Sequence, residues 1–577
     1  MGVSPAKFTS AGQTSQHYIP GVYSRRRTLA GGTGVSSGNL VIIGTASGGE
    51  PGKLLAFGDK AEAKEELVSG DLLDGVAQAF NGSNDFVPQT VFALKVNKST
   101  RGSLTLESGG YPALTLKSAM FGPQANQLKL RLTDGTTGRK LTCIFKGSEI
   151  VVDDIGRDSL TLQYTGSGTS PVCTVGHDGM SLSASRTPTV DDDSTVTDAL
   201  TIKWDECGTL EELAAKISDT DAWRAVLLDT TANVPCEQLD HVSGVEVGTD
   251  SPTVIKSDFQ ALLDAIAKIP FIGETRLEGT RRVMPDNLDG YAYFTGAENG
   301  TSRIADWLDA LDVLKSEDIQ IIATPSTDPD VHSIISDHCT EMSTVTKKRE
   351  RTFWAGMPEG TSIEAGIAEA KSLNTDLGSV VITGANANSP FTGAAEDISP
   401  ALLSCKCAGM EAALGVSNPL TNKVIKVNAF SKKYTDSELD KMIAGGVVPF
   451  GVSEDGQLVC IRAITCYQGD SLIRNERSMT RAVLYMDRDL RKAYARRTGS
   501  NSAPSESEII QILLNKGKEW YRDDLVTIGD EGKPVFDEKV RFDGDKTYLT
   551  FTRYIRAPNN FTFITGTNMV YSSTVEL

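Results

Sequence analysis

The residues that could do chemistry in this chain fall into a few groups, and each lacks the setting its chemistry needs. Gly34-Val35-Ser36-Ser37-Gly38 has the G-x-S-x-G pattern that raises a nucleophilic serine on a strand-to-helix turn. Here a strand follows the pattern instead of preceding it, so no nucleophile elbow is expected at Ser36. Gly52-Lys53 resembles the end of a phosphate-binding loop, but Ser47 stands where that loop needs glycine. Leu54 stands where a hydroxyl would hold magnesium. The five histidines are His17, His177, His241, His332 and His338. His332 and His338 are six apart on a helical pattern, which places them on different faces and reads as core or surface histidine rather than as a ligand pair. Of nine cysteines, the nearest two are Cys405 and Cys407, whose side chains diverge on a helix. Buried free thiols are expected there, not a metal site. Asp191-Asp192-Asp193 lacks the glycine and glutamate of a calcium loop and reads as an exposed loop. No carboxylate pair and no Cys/His constellation emerges, so the chain does not read as an enzyme, and no cofactor or metal is implied.

The elements that position these residues are clearest from Asp318 to Thr383. Ile319, Ile321, Ile322 and Ala323 form a β-branched run stopped at Thr324-Pro325. After Asp328-Pro329-Asp330, apolar residues recur with helical spacing at Val331, Ile334, Ile335 and Met342. Thr352–Gly356 reads as the next strand, Thr361 to Leu373 as a helix, and Val380-Val381-Ile382 as a third strand. Strand and helix alternating over short connections predict parallel strands joined by right-handed crossovers. Leu40–Gly44, a helical region containing Leu72, Val76 and Phe80, and Val91–Val96 form a similar unit near the N-terminus.

Between these two parts the texture changes. Alternating runs such as Leu128-Lys129-Leu130-Arg131-Leu132 and Leu160-Thr161-Leu162, separated by Asp-Gly and Thr-Gly turns, predict a β-rich insertion with one late helix near Leu210 to Ile217. The fold class expected is an α/β core over residues 20–100 and 255–470, with an inserted β-rich outer domain at 101–254. Residues 471–570 are expected to form an α+β C-terminal domain, in which Ser505 and Glu508 start a helix with a capping box. Residues 1–19 and 571–577 are polar and have little to bury, so they read as extended arms ordered from outside their own domain.

At 577 residues with 39% hydrophobic and 23% charged composition, the chain is of ordinary globular type. It has no apolar run long enough to span a membrane and no secretory h-region, which predicts folding in the cytoplasm of the producing cell. A net charge of −18 argues against general nucleic-acid affinity. Against that background, residues 471–500 hold eight basic and three acidic residues. Arg474, Arg477, Arg481, Arg488, Arg491, Lys492, Arg496 and Arg497 read either as a solvated helix face or as a docking face for an acidic partner or another copy of the chain.

Several short motifs, taken in order, resemble the tail sheath proteins of contractile-tailed bacteriophages and related contractile injection systems. They begin with Pro20-Gly21-Val22-Tyr23, Val41-Ile42-Ile43-Gly44-Thr45-Ala46 and Phe121-Gly122-Pro123-Gln124-Ala125-Asn126. The stronger block runs from Thr295-Gly296-Ala297-Glu298-Asn299-Gly300 through Trp307, Ala323-Thr324-Pro325, Arg349-Glu350-Arg351 and Gly356-Met357-Pro358. It continues to Leu420-Thr421-Asn422-Lys423, Gly445-Gly446-Val447 and Ile464-Thr465. At the glycine-asparagine turn, the family more often has a Trp-Gly-Asn-like sequence.

This resemblance implies a structural subunit that polymerises helically with itself around a tail tube, with baseplate and tail terminator as further partners. The 471–570 domain would face the tube, and contraction would drive the tube through the host envelope for genome ejection. It further implies terminal arms, the first starting at Pro20-Gly21-Val22-Tyr23, that add strands to neighbouring subunits. The extended lattice would be metastable and contract by rigid-body motion. The place of action would be the virion, after assembly in the host cytoplasm. Neither nucleic acid nor membrane insertion is expected. The competing readings are a phage surface protein whose β domain binds a receptor or glycan, and a hydrolase on the α/β core. The absence of an aromatic cluster opposes the first and the lack of a catalytic set opposes the second.

Overall fold

The computed structural model describes residues 6–10, 13–17, 37–185, 197–228, 231–495, 505–529, 532–543 and 546–557. Ser36, Pro20-Gly21-Val22-Tyr23, Asp191-Asp192-Asp193, Arg496, Arg497 and the arm at 571–577 lie outside them. Two compact units divide the chain. One comprises 1–21 and 99–299, the other 22–98 and 300–577.

The second unit is built on a six-stranded sheet. Its order across the sheet is Gly378–Val381, Thr352–Gly356, Ile321–Ala323, Leu40–Gly44, Val91–Lys95, Leu54–Phe57. Neighbours are parallel except the last pair, which is antiparallel. Leu40–Gly44 shows why such strands read as unbroken apolar runs. Successive side chains point to opposite faces, and both faces are covered. Leu40 and Ile42 pack with Leu72, Val76, Cys405 and Met410 on one side. Val41 and Ile43 pack with Trp307, Leu311, Val331 and Ile335 on the other.

The helices begin where local chemistry starts them. Asp328 accepts from the Asp330 N–H ahead of Pro329, opening Pro329–Met342. Ser362 caps Ile363–Leu373, one residue later than the Thr361 start expected. Ser399 caps Pro400–Ala413, a helix buried on nearly all sides. Its small residues let other backbones come close. A Cβ built on Gly409 would lie 2.0 Å from the Ala79 carbonyl oxygen of helix Asp71–Phe80. One built on Gly356 would lie 2.3 Å from Ala401.

The last part of this unit departs from expectation. The described residues from 471 onward join this unit instead of forming one of their own. Helix Arg477–Ala495 starts with Arg477, Met479, Thr480 and Arg481 buried. Farther along, Met486 joins Leu513 and Trp520 of helix Glu506–Arg522 and Val416 in a satellite cluster. Ser505 does accept from the Glu508 N–H. The strand expected at Val424–Val427 is only an isolated bridge from Val424 to Val459.

The chain leaves this unit at Lys98 and re-enters at Gly300, whose N–H donates to the Lys98 carbonyl at 2.7 Å. The intervening unit has two cores. In one, strands Arg101–Ser108, Tyr111–Phe121 and Lys129–Asp134 contribute Leu106, Leu114 and Leu130, which pack with Phe259 and Leu262 of helix Asp258–Ile266. In the other, Leu162, Cys173 and Leu182 pack with Leu210 and Leu213 of helix Leu210–Ser218, whose capping box is Thr209–Glu212. The expected boundary at 254 is therefore misplaced. Residues 255–299 supply a helix and a strand, Ile272–Leu277, that complete the first of these cores, so the unit closes at Asn299. In the N-terminal segment, Ala6–Ser10 and Gln13–His17 pair antiparallel with each other.

Candidate functional site

Lys53, His332 and His338 each engage a separate partner. Lys53 pairs with Glu50 at 2.8 Å on a turn that leads into a strand, not into a phosphate-binding helix. All nine cysteines are free and buried. Among the described residues, no group of His, Cys, Asp and Glu could hold a metal ion. His332 contacts Glu369 and the Ser326 carbonyl, each at 3.0 Å. His338 accepts at Nε2 from Arg351, 2.7 Å away.

What the fold does assemble is a buried ionic clamp around Glu411. This glutamate sits in helix Pro400–Ala413, where it and Lys406 are the charged residues of an otherwise small and apolar segment. Its exposure is 3%, and that of Arg477 is 1%. Arg477 grips the carboxylate with two hydrogen bonds, Nε to Oε1 at 2.8 Å and Nη2 to Oε2 at 2.9 Å. Its other donors reach the Phe353 carbonyl (2.8 Å), Ser379 Oγ (3.0 Å) and Thr352 Oγ1 (3.2 Å). All five guanidinium N–H groups are thereby used. Trp354 Nε1 donates to Glu411 Oε2 at 2.8 Å, and its ring lies 4.4 Å from the Arg477 guanidinium. Arg481 adds a second positive charge 3.6 Å from Oε1 and donates to the Glu411 carbonyl.

Burial alone would raise the Glu411 pKa. The charges of Arg477 and Arg481, with hydrogen bonds from Arg477 and Trp354, outweigh it and hold the carboxyl below the ordinary glutamate value. A buried ion pair offsets its desolvation only with this kind of geometry. The arrangement offers no nucleophile and no exposed proton carrier. Its capability is mechanical: it ties the first turn of Arg477–Ala495 to two strands of the sheet and to the central helix.

The rest of the basic run behaves similarly. Arg474 pairs with Asp376 at 2.9 Å, Arg488 with Asp318 at 2.8 Å, and Arg491 with Glu350. Lys492 lies on the same helix. Five of the eight residues of this run already have acidic partners within the chain. Arg477 and Arg481 are buried, and Arg474, Arg488 and Arg491 engage carboxylates of their own chain. Local net charge does not reveal these pairs because the partners lie far away in sequence, 66 residues for Glu411 and 170 for Asp318. Glu411 itself was missed. The signal that would have found it is a lone acid inside an apolar helical run, which demands a buried counter-charge.

Residues 300–466 match the family described as phage tail sheath protein central domain. That segment is similar to a sheath domain. It contains Thr352, Trp354, Ser379 and Glu411, and the clamp closes it onto Arg477 and Arg481 just beyond its end. The similarity runs through nearly the whole chain. The tail sheath protein of Bacillus phage SP01 is 22% identical over 92% of this chain and 91% of its own length. The putative tail sheath protein of Enterococcus phage phiEF24C is 25% identical over 79% and 80%. Two solved sheath tail proteins share the fold. That of Desulfitobacterium hafniense has a TM-score of 0.50 at 13% identity, covering 93% of this chain and 100% of its own. That of Listeria innocua has 0.52 at 10%, covering 90% and 95%. These relatives are named for a structural part, not for a reaction.

The 300–466 segment carries a pH response. Burial, with the Arg351 charge beside it, pulls His338 from 6.5 down to about 4. Above the unfolded value, neither state binds the proton. As pH falls from about 6.5 towards 4, the unfolded chain takes it up and the folded chain does not, so stability declines across that window. His338→Gln removes this titration. Its melting temperature should fall less steeply than the parent's between those pH values, and parallel profiles would refute the assignment.

Proposed function

We propose that this chain is the subunit of a contractile tail sheath in a phage virion. Copies polymerise helically around a tail tube, between baseplate and tail terminator, and contract to drive the tube through the host envelope for genome ejection. The observation that supports this reading is similarity from end to end, 92% of this chain against 91% of a phage tail sheath protein. A role of this kind is structural, not catalytic, and asks for no cofactor. It also asks for no nucleic-acid contact and no membrane insertion. No described helix is long and apolar enough to cross a membrane. Assembly takes place in the host cytoplasm, and the arms at 1–19 and 571–577 join neighbours by strand addition.

Negative-stain electron microscopy of the concentrated protein, alone and with tail tube and baseplate, tests the proposal. Striated tubes of uniform width in either sample support it. Dispersed particles in both would overturn it. Deleting residues 1–19 should leave the circular dichroism and melting curve unchanged while abolishing the tubes. A chain that no longer folds would assign that segment to its own subunit instead.

A further inference from the structure

We propose that Cys207 and Cys236 form a disulfide-bonding pair in the 99–299 unit, closed when the protein meets a low-molecular-weight disulfide oxidant. Both thiols are buried and reduced in this structure. Their sulfurs are 3.8 Å apart. The backbone independently places them side by side. Thr209 bridges Pro235 in antiparallel fashion, and the Cys236 N–H donates to the Gly208 carbonyl at 3.4 Å. In this register Cys236 lies opposite Gly208, so Cys207 is its diagonal neighbour across a spacing of ~4.8 Å between chains, and a disulfide spans roughly 4.4–6.8 Å between α-carbons. Neither residue sits inside a regular strand. Cys207 follows the turn after strand Thr197–Lys203, and Cys236 opens the short turn Cys236–Gln238. The small rotation needed to bond the sulfurs therefore breaks no ladder.

The chemistry balances with oxidised glutathione as the oxidant. The Cys207 thiolate attacks one glutathione sulfur and expels glutathione thiolate. The Cys236 thiolate then attacks the Cys207 sulfur of the mixed disulfide and expels the second glutathione. Two electrons leave the protein sulfurs, and the two thiol protons end on the departing glutathiones. Burial raises both thiols, Cys236 to about 12, so Cys207 is the first attacker and the reaction is slow.

The bond would have a structural consequence. A cleft of about 650 Å³ is walled by Lys203, Trp204 and Asp205 on one side and by Glu237 and His241 on another. Cys207 follows the first wall and Cys236 precedes the second. The bridge ties the two together and closes the loop that carries helix Leu210–Ser218.

The test is thiol mapping on the full chain. The native protein is equilibrated with reduced and oxidised glutathione, denatured in alkylating reagent without reductant, and digested for mass spectrometry. The expected result is seven of the nine cysteines alkylated and a peptide pair joined through Cys207 and Cys236. Dithiothreitol should restore nine, and Cys236→Ser should form no bridge. Nine alkylated cysteines in the oxidised sample, glutathione retained without the internal bond, or a bond between other cysteines would overturn the proposal.

Discussion

Arg477→Ala lowers the stability of the unit at 22–98 and 300–577 by about 3–5 kcal/mol, the range for removing one partner of a buried ion pair. The loss comes less from the missing attraction than from what remains. Glu411 keeps the Trp354 donor and the more distant Arg481 but loses two of its hydrogen bonds. The Phe353 carbonyl and the Thr352 and Ser379 hydroxyls lose a shared donor in a site closed to water. Urea unfolding followed by tryptophan fluorescence measures the effect, and a change below about 1 kcal/mol would refute the clamp. The triple variant Arg477→Met, Arg481→Met, Glu411→Leu should recover much of the loss, because it leaves none of the three buried charges uncompensated. The clamp also has a pH signature. Because the Glu411 pKa is depressed in the fold, its contribution is complete above the ordinary glutamate value of 4.5. It is lost as pH falls below that value through the folded one.

Gly409→Val is the second large effect, and it comes from space rather than charge. Even the Cβ meets the Ala79 carbonyl oxygen at 2.0 Å and the Ala79 carbonyl carbon and α-carbon at 2.6 Å. These are backbone atoms of a packed helix, so no side chain can swing aside. Helices Asp71–Phe80 and Pro400–Ala413 must move apart, which loosens Val76, Cys405 and Met410 from Ile42 in the same core. Overpacking of this kind costs about 3 kcal/mol. The expected outcome is a melting temperature several degrees lower than that of Gly58→Ala, a variant in the same unit at a position where an added Cβ meets only Glu62 Oε2, at 3.7 Å. Equal melting temperatures would refute the close crossing.

How much of this was legible in the chain depends on how far each signal reaches. The strand and helix alternation from Ile319 to Ile382 could be read because period and capping are local. Ile321–Ala323, Pro329–Met342 and Thr352–Gly356 stand within a residue or two of the pattern. The insertion's β texture was readable for the same reason. Its end was not, since helix Asp258–Ile266 looks like any amphipathic helix until Leu114 and Leu130 are seen against it. The basic run was visible as composition, but its meaning rested on Glu411, Asp318 and Glu350, acids that only folding brings near. A charge count cannot distinguish a surface that seeks a partner from a helix that already has one.

The hydrogen bond between Lys98 and Gly300 has a consequence for how this molecule can vary. The two ends of the interior unit leave from touching backbone groups, a gap that a tight turn alone could close. The entropy of closing that gap grows only slowly with the length of chain between its ends. The core is therefore nearly indifferent to what is strung there, whether a short loop, this two-core cassette or a larger one. Lineages sharing this scaffold are free to exchange the cassette without redesigning the six-stranded sheet of the other unit.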